Sequence, residues 1–133
     1  MRNQIQQLKE KLGAIFQADN QLGILYLFGS QLDGDIHAGS DFDFGVFSLE
    51  SDPLQRFYHG LRVQDTIEKV LPNDKIDVKI LNDITTTELQ FQIIQGEVLF
   101  ERESYRILIE PKIRMHHEDF MYGLKKYGLT KAI

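Results

Sequence analysis

The spacing of apolar residues changes period several times along the chain, and each change marks an element. Ile5, Leu8, Leu12, Ile15 and Phe16 recur at helical spacing within residues 3–17. This predicts an amphipathic helix with one face on a core. Gly13 weakens it by about 1 kcal/mol relative to alanine. A polar turn over 18–23 leads to a short apolar run, residues 25–28, that stops at Gly29-Ser30. A run bounded in this way fits a buried strand. Residues 41–47 alternate, which fits a second strand. Ser51-Asp52-Pro53 opens a helix, with a capping residue followed by proline at the first helical position. Leu54, Phe57, Tyr58 and Leu61 form one stripe, and Val63, Ile67, Val70 and Leu71 continue it in shifted phase. One helix to about Leu71, bent near Gly60, accommodates both. Arg56, Arg62 and Lys69 read as solvated.

Residues 75–81 alternate again and form a third strand. Thr85 to Thr87 cap a further helix, with Glu88 placed for a capping box with Thr85, and Gly96 ends it. Residues 97–100 form a short edge strand or extended turn. Ser104 caps a last helical region in which Tyr105, Leu108, Ile109, Ile113 and Phe120 line a broad face. Pro111 is expected to kink or break that helix. His116 and His117 are adjacent, point about 100° apart on a helix, and read as surface or interface residues. The stretch from Tyr122 is basic and aromatic. The whole is one α/β (α+β) domain over residues 1–133, with its core over 20–100, a helical region over 103–126, and a small mixed β-sheet flanked by helices.

The chemistry concentrates between residues 25 and 47. On the second strand Asp41, Asp43 and Gly45 share one face, while Phe42, Phe44 and Val46 share the other. Two carboxylates then stand about 7 Å apart along the strand. They repel and raise each other's pKa. A divalent cation relieves that repulsion, and Mg²⁺ commonly sits on one or two carboxylates plus substrate phosphates. Gly29 lets backbone approach a ligand closely, and turn N–H groups with the Ser30 hydroxyl can hold phosphate oxygens. On the third strand Ile76, Val78 and Ile80 share one face, and Asp77 and Lys79 the other. Asp77 is thus a third carboxylate on a strand that can lie beside Asp41 and Asp43.

Gly29-Ser30, a ten-residue gap and Asp41-x-Asp43 resemble the signature of the DNA polymerase β-like nucleotidyltransferase superfamily. With no appended domain, the chain is most similar to the minimal nucleotidyltransferases, in particular antitoxins of the MntA type. The resemblance implies the polymerase β-like nucleotidyltransferase fold and a third acidic residue matching Asp77. It implies catalytic and metal-binding roles for Asp41, Asp43 and Asp77, nucleotide-binding roles for Gly29 and Ser30, two Mg²⁺ ions, and ATP as the substrate. In such sites one ion activates the attacking hydroxyl and the other stabilises the leaving pyrophosphate. The implied reaction is AMP transfer to a hydroxyl, a tyrosine, of a cognate HEPN-family ribonuclease toxin. The chain departs from the family pattern at Asp33 and His37, where two arginines often stand. Two permanent positive charges are therefore missing near the triphosphate. Two alternatives stay open: an antitoxin that acts by occlusion with little catalysis, and a small-molecule nucleotidyltransferase completed by a partner domain.

Composition narrows the classes further. A net charge of −5 gives no field that favours nucleic acid, so no direct DNA binding is expected. It suits a basic protein partner. The absence of cysteine excludes disulfides and thiolate metal sites. No apolar run approaches 18 residues, and the N-terminus is too polar for a signal peptide. The expectation is a cytoplasmic protein with no membrane contact.

Overall fold

The computed structural model describes residues 2–29 and 41–128. Ser30, Asp33 and His37 lie outside the described residues. Four helices, α1 (Arg2–Phe16), α2 (Pro53–Val70), α3 (Thr87–Ile94) and α4 (Tyr105–Lys126), accompany four strands. The strands are β1 (Leu22–Phe28), β2 (Asp41–Ser48), β3 (Lys75–Ile80) and β4 (Glu97–Glu101). The sheet order is β3-β2-β1-β4. β1 runs antiparallel to both β2 and β4, and β2 runs parallel to β3. The expected mixed sheet is therefore present, with β4 as an edge strand.

Central position explains the composition of β1. All seven of its residues are buried, because helices cover both faces of the sheet. Leu25 and Leu27 join the layer of α1 and α2, with Phe42, Phe44, Val63 and Ile67. Ile24, Tyr26 and Phe28 join the layer of α3 and α4, with Ile93, Ile94 and Ile113. Such a strand has no solvent side and shows no polar alternation. It begins three residues earlier than the apolar run alone suggests, since the backbone at Leu22 pairs with Ser48.

Several expectations about helix faces are corrected. Ile15 is exposed, and Ile5, Leu8, Leu12 and Phe16 alone make the buried stripe of α1. In α2 the apolar stripe of Leu54, Phe57, Tyr58 and Leu61 faces solvent, while His59, Gly60, Val63 and Ile67 face the sheet. The close fit at Gly60 sets that rotation: a Cβ there would lie 2.8 Å from Ile80 Cδ1. Arg56 is not merely solvated, because its guanidinium donates to both oxygens of Asp83 and to the Glu50 carbonyl. The capping box at α3 does not form. Thr86 is the N-cap without a side-chain bond, and Glu88 instead pairs with His117 at 2.9 Å. His117 also stacks on Phe91, with centroids 3.7 Å apart, so it is a packing residue.

Helix α4 is not broken at Pro111. The carbonyl deprived of its donor belongs to Ile107, which is 73% exposed and open to water. Leu108 and Phe120, expected on the packed face of α4, are exposed, and Ile113 is its buried apolar residue. No helix among the described residues is long and apolar enough to cross a membrane.

Candidate active site

The three predicted carboxylates all lie on the α3/α4 side of the sheet. Phe42, Phe44 and Ile76 point the opposite way, into the α1/α2 layer, so alternation sends Asp41, Asp43 and Asp77 to the other face. In the parallel β2–β3 ladder Asp41 faces Lys75, Asp43 faces Asp77 and Gly45 faces Lys79. Strand pairing thus sets Asp43 and Asp77 side by side, about 4.8 Å apart at the backbone. Asp41 lies one pleat further out, exposed at the start of β2. Cover ends between Gly45 and Asp43. Ile93 of α3 lies so close to Gly45 that a Cβ there would meet its Cγ2 at 2.5 Å, whereas Asp43 is only half-buried.

Gly29 completes this edge from the other neighbour of β2. Phe28 pairs with Asp43, and the next residue turns away at φ +94°. Only glycine enters that region without strain. A Cβ at Gly29 would sit 2.9 Å from Asp43 Oδ2. The turn backbone and the carboxylate therefore approach each other too closely to admit a side chain at position 29.

Charge at the site is incompletely balanced. Burial pushes the Asp43 carboxyl above its ordinary pKa, the Asp77 charge pushes the same way, Lys79 opposes it, and Asp41 adds to it. Lys79 reaches across its own strand to Asp77, with Nζ 2.5 Å from Oδ2. Among the described residues no three carboxylates or imidazoles stand close enough to form a ready-made metal cage. The donor set nevertheless fits Mg²⁺. It offers hard carboxylate oxygens, those of Asp43 and Asp77 on register-paired residues that repel, and with Asp41 and Asp77 exposed and Asp43 only half-buried these oxygens are open to water and phosphate. Mg²⁺ usually retains several waters and takes its remaining ligands from substrate phosphates rather than from an all-protein cage.

The polymerase beta nucleotidyltransferase family matches residues 10–105, most of the chain and every candidate residue. The chain belongs to this family. No curated protein sequence matches it at a significant level. Among solved structures, it is similar to a chain of a mutant MntA–HpeT toxin–antitoxin (19% identity, TM-score 0.69), covering 94% of this chain and 98% of that one. It is also similar to a chain of a toxin–antitoxin with AMP-PNP (20%, TM-score 0.67), again over 94% and 98%. A third likeness is to a chain of the tri-AMPylated Shewanella oneidensis HEPN toxin in complex with MNT antitoxin (16%, TM-score 0.63), over 97% and 99%. At these identities the likeness establishes the fold of this nucleotidyltransferase family, the one expected from the Gly-Ser and Asp-x-Asp motif.

Sequence reasoning passed over two features, one in the site and one at the opposite end of β2. Lys79 was visible as a residue on the face of Asp77, but its role depends on the ladder that places it opposite Gly45. The second feature is a Ser48–His59–Asp19 chain: His59 Nδ1 lies 2.8 Å from Ser48 Oγ, and Nε2 lies 2.8 Å from Asp19 Oδ2. It superficially resembles a nucleophile with its base. Ser48 and His59 are only 2% and 0% exposed, and Ser48 Oγ also accepts the Glu50 N–H. Substrate has no access, so this is a structural network that ties β2 to α2 and to the loop after α1. Its members are far apart in sequence, and no spacing signal announces them.

Proposed function

We propose that this protein is the nucleotidyltransferase antitoxin of a toxin–antitoxin pair. It transfers AMP from ATP to a hydroxyl, a tyrosine, of a cognate HEPN-family ribonuclease toxin. The observation that carries the reading is the register pairing of Asp43 with Asp77 beside the glycine turn at Gly29. Asp41, Asp43 and Asp77 would hold two Mg²⁺ ions. Bound there, the ions supply neutralisation of the triphosphate charge and activation of the attacking hydroxyl. Gly29 and Ser30 hold the β- and γ-phosphates. The acceptor oxygen attacks the α-phosphorus, pyrophosphate leaves, and the acceptor proton passes to Asp77, the exposed member of the pair. The protein's contribution is mainly to position groups and stabilise charge.

The choice of acceptor draws on proteins of the same fold. One is found with AMP-PNP, and another with a tri-AMPylated HEPN toxin. The net charge of −5 suits a basic ribonuclease, and the setting is the cytoplasm. Asp33 and His37, in place of the family's arginines, favour one competing reading: an antitoxin that binds and occludes with little catalysis.

The test is incubation with Mg-ATP and the protein encoded by the neighbouring gene, followed by intact-mass spectrometry. AMP-mass adducts on the neighbour that vanish in the Asp41→Asn/Asp43→Asn variant support transfer. A tight complex of unchanged mass would replace this reading with occlusion.

A further inference from the structure

The carboxylate pair already holds a cation. On β3 the residues that share the site face run Lys75, Asp77, Lys79, so lysines flank the acidic pair on both sides. Lys75 lies level with exposed Asp41, at the open end. Lys79 lies level with Gly45, which has no side chain to block its path toward the carboxylates. Its ammonium is in contact with Asp77. It is also the one group among the described residues whose charge offsets the burial and repulsion at Asp43. A cation in that place occupies the oxygens a divalent ion would need. At the same time, residues 31–40, between the glycine turn and Asp41 in sequence, contain no lysine or arginine.

Resting on the metal-site reading above, we propose that Lys79 is an exchangeable counterion of this site. Without nucleotide it occupies the Asp77 side of the carboxylate pair and holds off divalent ions. When a metal–triphosphate binds, the ammonium gives up Asp77 and pairs with a phosphate oxygen, supplying positive charge that residues 31–40 do not carry. Its side chain is 37% exposed, so the swing requires no repacking. Metal and nucleotide consequently bind together more readily than either binds alone. Lys79 acts as a positioning residue and takes no part in bond making.

The experiment is Mn²⁺ binding to the full chain, followed by electron paramagnetic resonance, with and without AMP-PNP. An exposed ion pair is worth up to about 1 kcal/mol, so Lys79→Met should tighten Mn²⁺ binding without nucleotide by roughly threefold to fivefold. The same substitution should weaken AMP-PNP binding by a similar factor, and Lys79→Arg should stay close to wild type in both. A purely structural role would not move the two affinities in opposite directions. Unchanged or weaker Mn²⁺ binding in Lys79→Met, with Mn²⁺ binding abolished in Asp43→Asn, overturns the counterion role and leaves the metal site standing. Wild-type Mn²⁺ binding that persists in Asp43→Asn, or that is absent even with AMP-PNP, overturns the metal-site reading and this inference together.

Discussion

Replacing Asp43 by asparagine should stabilise the fold while it abolishes function. Asp43 and Asp77 are register partners, so their charges lie on backbones about 4.8 Å apart. Two unit charges at that distance repel by about 0.9 kcal/mol in water and about 3.5 kcal/mol at an effective dielectric of 20. The Asp77 side chain is 52% exposed, which favours the lower figure, and Lys79 returns part of it. A net penalty of about 0.5–1 kcal/mol remains, equivalent to about 2–4 °C in Tm for a domain of this size. The sign with pH follows from the direction of the shift. Native Asp43 holds its proton to higher pH than the unfolded chain. Its contribution is therefore favourable below the ordinary value of 3.8 and is lost as pH rises through the raised one. At pH 7.5 the wild type carries the full penalty and the Asn variant does not; near pH 3.5 the difference should vanish. Differential scanning calorimetry in EDTA across that range reads it directly. With Mg²⁺ and AMP-PNP the order should reverse, because only the wild type gains ligand stabilisation. A variant less stable than wild type at pH 7.5 in EDTA would refute the electrostatic reasoning.

Outcomes are expected for four further variants. Gly29→Ala forces a side chain into φ +94°, at about 1–2 kcal/mol, and pushes on Asp43. Tm should fall by about 4–8 °C and Mn²⁺ affinity should fall with it; equal values for variant and wild type would dismiss the close approach at this turn. Tyr26→Phe removes the 2.7 Å hydrogen bond to Glu110 and should cost about 1–3 kcal/mol in urea unfolding. Burial works to raise the Glu110 pKa, but hydrogen bonds from Arg106 and Tyr26 outweigh it and hold the carboxyl below the ordinary 4.5. Its stabilisation is thus present above 4.5 and lost as pH falls, so the variant should show a shallower acid decline. His59→Leu removes one hydrogen-bond partner each from Asp19 and the buried Ser48 hydroxyl and should destabilise by about 2–4 kcal/mol, whereas Ser48→Ala should leave AMP transfer intact. Loss of transfer in a folded Ser48→Ala protein would make that serine a participant in the chemistry.

The site motif was legible because its geometry is local. Alternation along β2 fixes the common face of Asp41 and Asp43, and a glycine at the end of β1 marks a turn that no other residue tolerates without strain. Asp77 needed only the assumption that β3 pairs with β2 on the same face. What the sequence concealed depends on the rotation of helices about their axes. Leu54, Phe57, Tyr58 and Leu61 have the spacing of a core stripe, yet the contact of Gly60 with Ile80 turns α2 so that His59 lies inside. A buried histidine offers no periodic signal, since its burial is made tolerable by Asp19, forty residues away. Arg102 is hidden for the same reason: its guanidinium donates to the carbonyls of Leu22, Phe16, Gln17 and Asp19, so its partners are backbone atoms that no motif records.

The hidden network and the visible motif are mechanically connected. Whether Asp77 faces Asp43 depends on the register of β3, and a slip of one residue would turn it to the opposite face. The short pairing of two strands does not by itself forbid such a slip. The far end of the ladder is pinned, however. The Ser48 N–H donates to Asn82 Oδ1, and Asn82 Nδ2 donates back to the Ser48 carbonyl, each at 2.9 Å. Ser48 ends β2, and Asn82 lies two residues beyond the end of β3, so this amide clamp fixes one strand against the other. His59 then ties α2, the crossover between the two strands, to the same serine. The polar residues that lie too deep to touch substrate thus hold in register the carboxylates at the other end of the sheet. Loss of the clamp in Asn82→Ala should therefore lower Mn²⁺ affinity without any change to a metal-binding side chain.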